Sequence, residues 1–556
     1  MIDIQPQYLS LGKLLAGRLF RIPEYQRAYS WHSRQRADLF SDIEKVAASP
    51  NDSIHFMATV VGLRRDKRTI ITDEHQVVEV VDGQQRLTTL VLLLKAAAQA
   101  LNENNTLEVR IRREIEETLV KPDEHSLLLL QTNHDSSHHF AEYLRKGSHP
   151  SSDTARTLAD RELLKAMTEC ELFVARWGQR QSLSDLVALL KNRLTFIFHE
   201  IADEATVYTV LEVLNSRGLE VSWFDRLKSI LMGMAFKSST GNQVELIDEL
   251  HLLWRDIYAC IGLRQGMSTE ALRFAATLRL QTRPSRPLGE EDAVETLRTQ
   301  ASGEPKQIVG TTQWIKSVTE AVDRLSQDRR KNAVRRIAQA RLLATAAHLR
   351  SDFSDGERDR ILKRWENVTF RIYGMMSRDA RTRVGDYVRL AWRILNEKIS
   401  ADDVLKGLKD IGDDFPIDEA VDSVRDSDCY TDWQEELRCF FFRYEEHLAS
   451  EAGQNFDNEQ WNRIWEVSAA DSIEHILPQS KGPEGLVHRI GNLVLLPPRL
   501  NSKLGSKAPT DKAGDYQKTG LLIAQAVVRD LPDWGEEKIA AREDSLLKWA
   551  LSEWAD

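Results

Sequence analysis

Cysteine is scarce in this 556-residue chain, and the four that occur, Cys170, Cys260, Cys429 and Cys439, form no Cys-x-x-Cys pair. That spacing excludes a disulfide framework and a zinc knuckle and leaves four small core residues. No apolar run approaches the roughly 20 residues that a bilayer-crossing helix needs. The first residues, with Asp3 and no basic-then-apolar pattern, do not read as a secretory signal. A cytoplasmic protein with no membrane partner is the expectation. Internal repeats are absent, and so is any general basic excess: 75 Lys and Arg face 85 Asp and Glu, a net charge of -10.

What is present is a globular composition, 42% hydrophobic and 29% charged. The length exceeds what one core can hold and predicts three or four folding units. Apolar residues recur at helical spacing over 159–177, 204–215, 222–236, 243–260, 314–325, 330–350, 356–375 and 383–397, with Trp254, Trp314, Trp365 and Trp392 on the faces to be buried. The stretch from Thr282 to Thr312, punctuated by Pro284, Pro287, Gly289, Gly303, Pro305 and Gly310, reads as a connection or mobile loop. Charge is segregated along the chain. Residues 324–398 hold 19 Lys or Arg against 9 Asp or Glu, whereas 401–475 hold 6 against 21. From 479 to 512 there are again 6 basic residues against 2 acidic ones, among them Arg489, Arg499, Lys503 and Lys507. A duplex needs only such a local positive track beside the chemistry, which makes these four the candidate DNA contacts.

The C-terminal region carries the most chemical information. Ser472-Ile473-Glu474-His475-Ile476-Leu477-Pro478-Gln479 predicts a short strand ended by Pro478, Gly491-Asn492-Leu493-Val494-Leu495-Leu496 predicts a second, and Pro497-Pro498 leads into a short helix bearing Asn501. The pattern is a ββα hairpin. Hydrolysing a phosphodiester requires a base to activate water and a cation to stabilise charge on the phosphorane and on the departing oxygen. His475 suits the base, because a neutral imidazole exists near pH 7 without a large shift. Glu474 and Asn501 offer the hard oxygen ligands that Mg²⁺ (or Mn²⁺) takes, and Asn492 would pin the loop between the strands and orient the imidazole. Neighbours on an ideal strand point to opposite faces, so Glu474 and His475 share a site only where the strand ends or bulges. Without zinc, the hairpin must be held by packing, with Ile473, Ile476, Leu493, Leu495, Trp534 and Trp549 as candidates.

A second signal lies near the N-terminus. Val77-Val78-Glu79-Val80-Val81 predicts a strand, Asp82-Gly83 a turn, and Gln84 to Leu101 a helix with Leu87, Leu90, Val91, Leu94 and Ala98 on one face. Strand, tight turn and helix N-terminus together favour an anion, with Gln84, Gln85 and Arg86 beside it; Asp82 serves equally well as the helix cap. Upstream, Ile22-Pro23-Glu24-Tyr25-Gln26-Arg27-Ala28-Tyr29-Ser30-Trp31 gathers aromatic, amide and guanidinium groups that can stack on a base and hold a phosphate. Tyr29 and Trp31 fit core packing as well as stacking.

The C-terminal motif resembles the HNH, or His-Me finger, nuclease motif, and in particular the nuclease domain that accompanies DUF262 in GmrSD-type restriction proteins. Glu474 stands where many relatives have Asp, and Asn501 where the motif's name has a second His. The segments IPEYQRAYSW and VVDGQQRLTTL, followed by Val210 to Leu219 and on to Asp225 and Lys228, resemble the DUF262 domain itself. The resemblance implies an α+β, predominantly helical chain: a ParB-like α/β sensor domain over 1–240, a helical middle region over 241–425, and an HNH-like nuclease domain over 426–556. It further implies a type IV, modification-dependent DNA endonuclease of phage defence. Binding or hydrolysis of a nucleoside triphosphate, GTP or ATP, is then expected at Asp82, Gly83, Gln84, Gln85 and Arg86, with Tyr25, Gln26 and Arg27 in the same pocket or reading the modification. Arg217 and Lys228 become further phosphate ligands, and a homodimer is an allowed assembly. Two other readings use the same residues: a non-cutting, nucleotide-switched DNA sensor, and an RNase or abortive-infection toxin.

Overall fold

The computed structural model describes residues 6–23, 26, 28–50, 55–121, 128–132, 137–201, 222–237, 243–264, 266–302, 304–328, 334, 336–454 and 458–556. Tyr25, Arg27, the motif from Val210 to Leu219 with Arg217, and the predicted helix over 204–215 lie outside them. The chain forms an α+β, predominantly helical fold and divides into two compact units, residues 1–272 with 290–319, and residues 273–289 with 320–556.

The first unit is organised by a six-stranded mixed sheet: β1 (Pro6–Ser10), β2 (Arg18–Ile22), β3 (His55–Ile70), β4 (Asp73–Asp82), β5 (Leu130–Thr132) and β6 (Leu194–Ile201), in the order β1-β6-β3-β4-β2-β5. β3 and β4 form an antiparallel hairpin, while β2 runs parallel to β4 and β3 parallel to β6. The predicted strand, turn and helix are all present. β4 buries Val78, Val80 and Val81, and Gly83 turns the chain at φ +89, a conformation that L side chains rarely adopt. The helix Gln84–Ala100 then runs through the core. Its Leu87, Leu90, Val91 and Leu94 pack in one apolar cluster with Phe20, Val78, Met167 and Phe173. A helix apolar on most of its surface must be enclosed on most sides, and the long helix Leu158–Gly178 supplies one of those walls. Tyr29 and Trp31 belong to this same core.

Helices dominate the second unit. Asp355–Thr369 continues into a π-helical turn over Phe370–Met375, and Val384–Asn396 and Ala401–Gly412 pack nearby. The predicted loop from Thr282 to Thr312, of which residues 290–312 belong to the first unit, is in large part helical, over Glu290–Ala301 and from Pro305 onward to Gln327. Its punctuation misleads because Pro305 opens a helix, where its missing N–H costs nothing, and Gly310 sits inside that helix with open space around it. The only other sheet among the described residues is a pair of three-residue strands, β7 (Ile473–His475) and β8 (Leu493–Leu495), antiparallel with Glu474 opposite Val494 and His475 opposite Leu493. Short helices follow at Pro498–Leu504 and Pro509–Gln517, and the unit ends on Glu536–Glu553. No helix among the described residues is long and apolar enough to cross a membrane.

Candidate active site

The ββα arrangement is formed: β7, the intervening loop, β8 and the helix that Pro497 and Pro498 start, carrying Asn501. Asn492 ties the loop between the two strands to itself and to Trp534. Its Oδ1 accepts from the Leu477 N–H at 2.8 Å and the Trp534 indole at 3.0 Å, and its Nδ2 donates to the carbonyls of Leu477 and Val487, both at 2.9 Å. All four capacities of a fully buried amide are therefore used.

Packing is joined by buried cations in holding the hairpin. The Arg542 guanidinium donates to the carbonyls of Ile490, Gly491 and Leu493, and burial lowers its pKa to about 10. Lys512, fully buried, places Nζ 2.7 Å from Glu474 Oε1, 2.6 Å from the His475 carbonyl and 3.2 Å from that of Ile476. Tyr516, one turn further along the same helix, donates to Glu474 Oε1 at 3.1 Å. Gly491 lets the last helix approach, because a Cβ there would lie 2.1 Å from the Ile539 carbonyl oxygen.

His475 is buried in a different set of neighbours. Its ring meets the edge of Tyr430 at 4.5 Å, its Nε2 lies 3.4 Å from His488 Nδ1, and its Nδ1 lies 3.2 Å from the amide nitrogen of the exposed Gln479. Tyr430 stacks on His488 at 5.0 Å. Burial, reinforced by His488 and Lys512 and opposed by Asp428, pushes His475 down to about 4, so the imidazole is neutral at physiological pH. Burial would push the Asp428 carboxyl up, but donors from Thr431 and Tyr430 and the nearby His488 hold it below its ordinary value. His488, Tyr430 and Gln479 were not singled out by sequence reasoning. A second imidazole in the loop that returns to the first was a usable signal for His488; nothing in the acidic stretch marked Tyr430.

A set of three or more His, Cys, Asp or Glu arranged to hold a metal ion is not found among the described residues, so the donors open to test are Asn501 and Glu474. Asn501 fits. Its Nδ2 donates to the carbonyls of Asp471 and Ile473 at 2.9 and 3.1 Å, and Oδ1 is the atom of the amide so anchored that a metal ion would take. The Glu474 carboxylate, by contrast, already faces an ammonium. The basic candidates divide likewise: Arg499 is exposed, Lys503 and Lys507 reach Asp515, and Arg489 is engaged by Glu543 and, at 2.7 Å, by Asp426.

In the first unit, two of the expected nucleotide residues tie the chain together. Gln85 accepts from the Ser30 N–H and donates to the Ala28 carbonyl, and Gln26 donates to the Val81 carbonyl. Arg86 lies 5.6 Å over the Trp31 ring, its pKa lowered by burial against the raising influence of Asp82 and Asp42. The N-cap of the helix that begins at Gln84 is Gly83, which has no side chain to cap it. Lys228 is buried, its ammonium 5.2 Å from the Tyr258 ring.

One unit thus holds a ββα hairpin and the other a strand-turn-helix. Residues 11–232 match the GmrSD restriction endonuclease N-terminal domain, and residues 415–549 match the C-terminal domain of GmrSD restriction endonucleases. The chain belongs to the GmrSD family and carries both of its domains. A comparison with curated proteins returns no match.

Proposed function

We propose that this chain is a phage-defence DNA endonuclease whose second unit cuts, whose first unit binds a nucleoside triphosphate, and whose target is DNA carrying modified bases or backbone. The observation that carries the cutting role is His475, neutral and held at the end of β7 with one nitrogen turned to the exposed Gln479. With Nε2–H donating to His488, the lone pair on Nδ1 is the acceptor on the outer side, and the Gln479 amide marks where a water O–H would donate. That water attacks phosphorus, its proton passes to Nδ1, and the P–O bond to the departing oxygen breaks. A Mg²⁺ held by the Asn501 amide oxygen would supply stabilisation of charge on the phosphate and the departing oxygen. Arg499, together with Lys503 and Lys507 released from exposed pairs of small energetic weight, would contact the DNA backbone.

Phage DNAs differing only in modification, incubated with the purified chain and Mg²⁺, with and without EDTA and each nucleoside triphosphate, test this reading. Cleavage of the modified DNA alone, lost with EDTA, is the expected result. Binding without cleavage would indicate the nucleotide-switched sensor, and cleavage of RNA in preference to DNA the toxin.

A further inference from the structure

The Glu474 carboxylate and the His475 imidazole have separate partners. Strand alternation sends adjacent side chains to opposite faces, and β7 is only three residues long with unbroken pairing to β8. Glu474 accordingly meets Lys512 and Tyr516, whereas His475 meets Tyr430, His488 and Gln479. Lys512 reaches across this division. Its three N–H donors match three oxygens, those of Glu474 and of the carbonyls of His475 and Ile476. Both charged groups are almost wholly enclosed, a placement that persists only where the opposite charge and the remaining hydrogen bonds are all supplied.

We infer that Lys512 is the resident cation of this site: it neutralises Glu474 and fixes the backbone that carries His475, so that Glu474 is not a metal ligand and a divalent ion rests on Asn501. This deepens the proposed function by assigning the ion's protein ligand. Lys512 is a positioning residue, acting on the imidazole through the carbonyls of residues 475 and 476.

The full chain tests this with Mn²⁺ binding read by electron paramagnetic resonance without DNA, thermal melting, and plasmid nicking kinetics. Glu474→Gln keeps an oxygen for Lys512 and should leave Mn²⁺ affinity within about threefold of wild type, whereas Asn501→Ala should weaken it at least about tenfold. Lys512→Met exposes the carboxylate to the ion. It should bind Mn²⁺ more tightly than wild type while lowering kcat at least about tenfold with KM for DNA nearly unchanged, a split that follows from losing the imidazole's support. If Lys512→Met alone does not fold, the double variant Glu474→Gln/Lys512→Met should recover a cooperative melting transition, since no unpaired charge remains buried. Loss of Mn²⁺ affinity in Glu474→Gln equal to that in Asn501→Ala, or strictly additive melting losses, would overturn the inference. Failure of the wild-type chain to nick DNA would overturn the proposed function alone, because the Mn²⁺ and melting measurements are made without DNA.

Discussion

Titratable side chains in the second unit are tuned by enclosure, and Glu445 shows the competition most plainly. It accepts the N–H groups of Leu522 and Ile523 at 2.6 and 2.8 Å, which favours its charged form, yet burial prevails and pushes it up to about 7. A carboxyl whose folded pKa lies above its unfolded value of about 4.5 stabilises the native state fully below pH 4.5, and that contribution is lost as the pH rises through 7. Between pH 4 and pH 8 the wild type should therefore lose about 3 kcal/mol more stability than Glu445→Gln. Chemical denaturation of both at the two pH values checks this, and parallel losses would contradict it. The sequence could not disclose such behaviour, since a Glu in a charged helix reads as solvated until the chain that covers it, here residues 522 and 523, is in place. For His475 the residue type already indicated the chemistry; its depressed pKa depended on His488, Lys512 and Tyr430 arriving from other segments.

At the scale of the element, the hairpin was legible because β7, β8 and the helix of Asn501 are contiguous in sequence and each carries its own signal: apolar runs, Pro478, and the Pro497-Pro498 start. What was not legible is how so small a sheet is held. Three-residue strands supply few ladder bonds, and packing from Ile473, Leu493 and Leu495 is supplemented by Arg542, Lys512 and the Asn492 amide, all of which bind backbone groups. Lys512, one of the six basic residues over 479–512, lies fully enclosed. Of the two tryptophans expected to support the hairpin, Trp534 bonds Asn492 directly, whereas Trp549 packs against Phe440, Tyr444 and Trp554. Gly491→Ala should push the last helix off the loop, because the clash is with backbone and not with a flexible tip. A loss of about 3 kcal/mol is expected in urea denaturation, with nicking reduced in parallel; a neutral substitution would mean that the helix yields more easily than its contacts suggest.

Over the whole molecule, the proposed cutting and nucleotide sites fall in different units. The first places Arg86 in the opening turn of the helix that starts at Gln84, and Arg86→Ala should weaken nucleoside triphosphate binding about tenfold by calorimetry while the sheet stays folded. Unaltered affinity would place the nucleotide elsewhere. The sheet order, with β6 inserted between β1 and β3, joins segments nearly two hundred residues apart; local periodicity carries no information about such pairings. The proposed cleavage depends on His475 accepting the proton of the attacking water. The most direct test is the nicking rate of His475→Ala on DNA that the wild-type chain cuts, measured beside its DNA affinity and melting temperature. Cleavage abolished, with binding and stability near wild type, is the predicted result; cleavage retained at a comparable rate would contradict it.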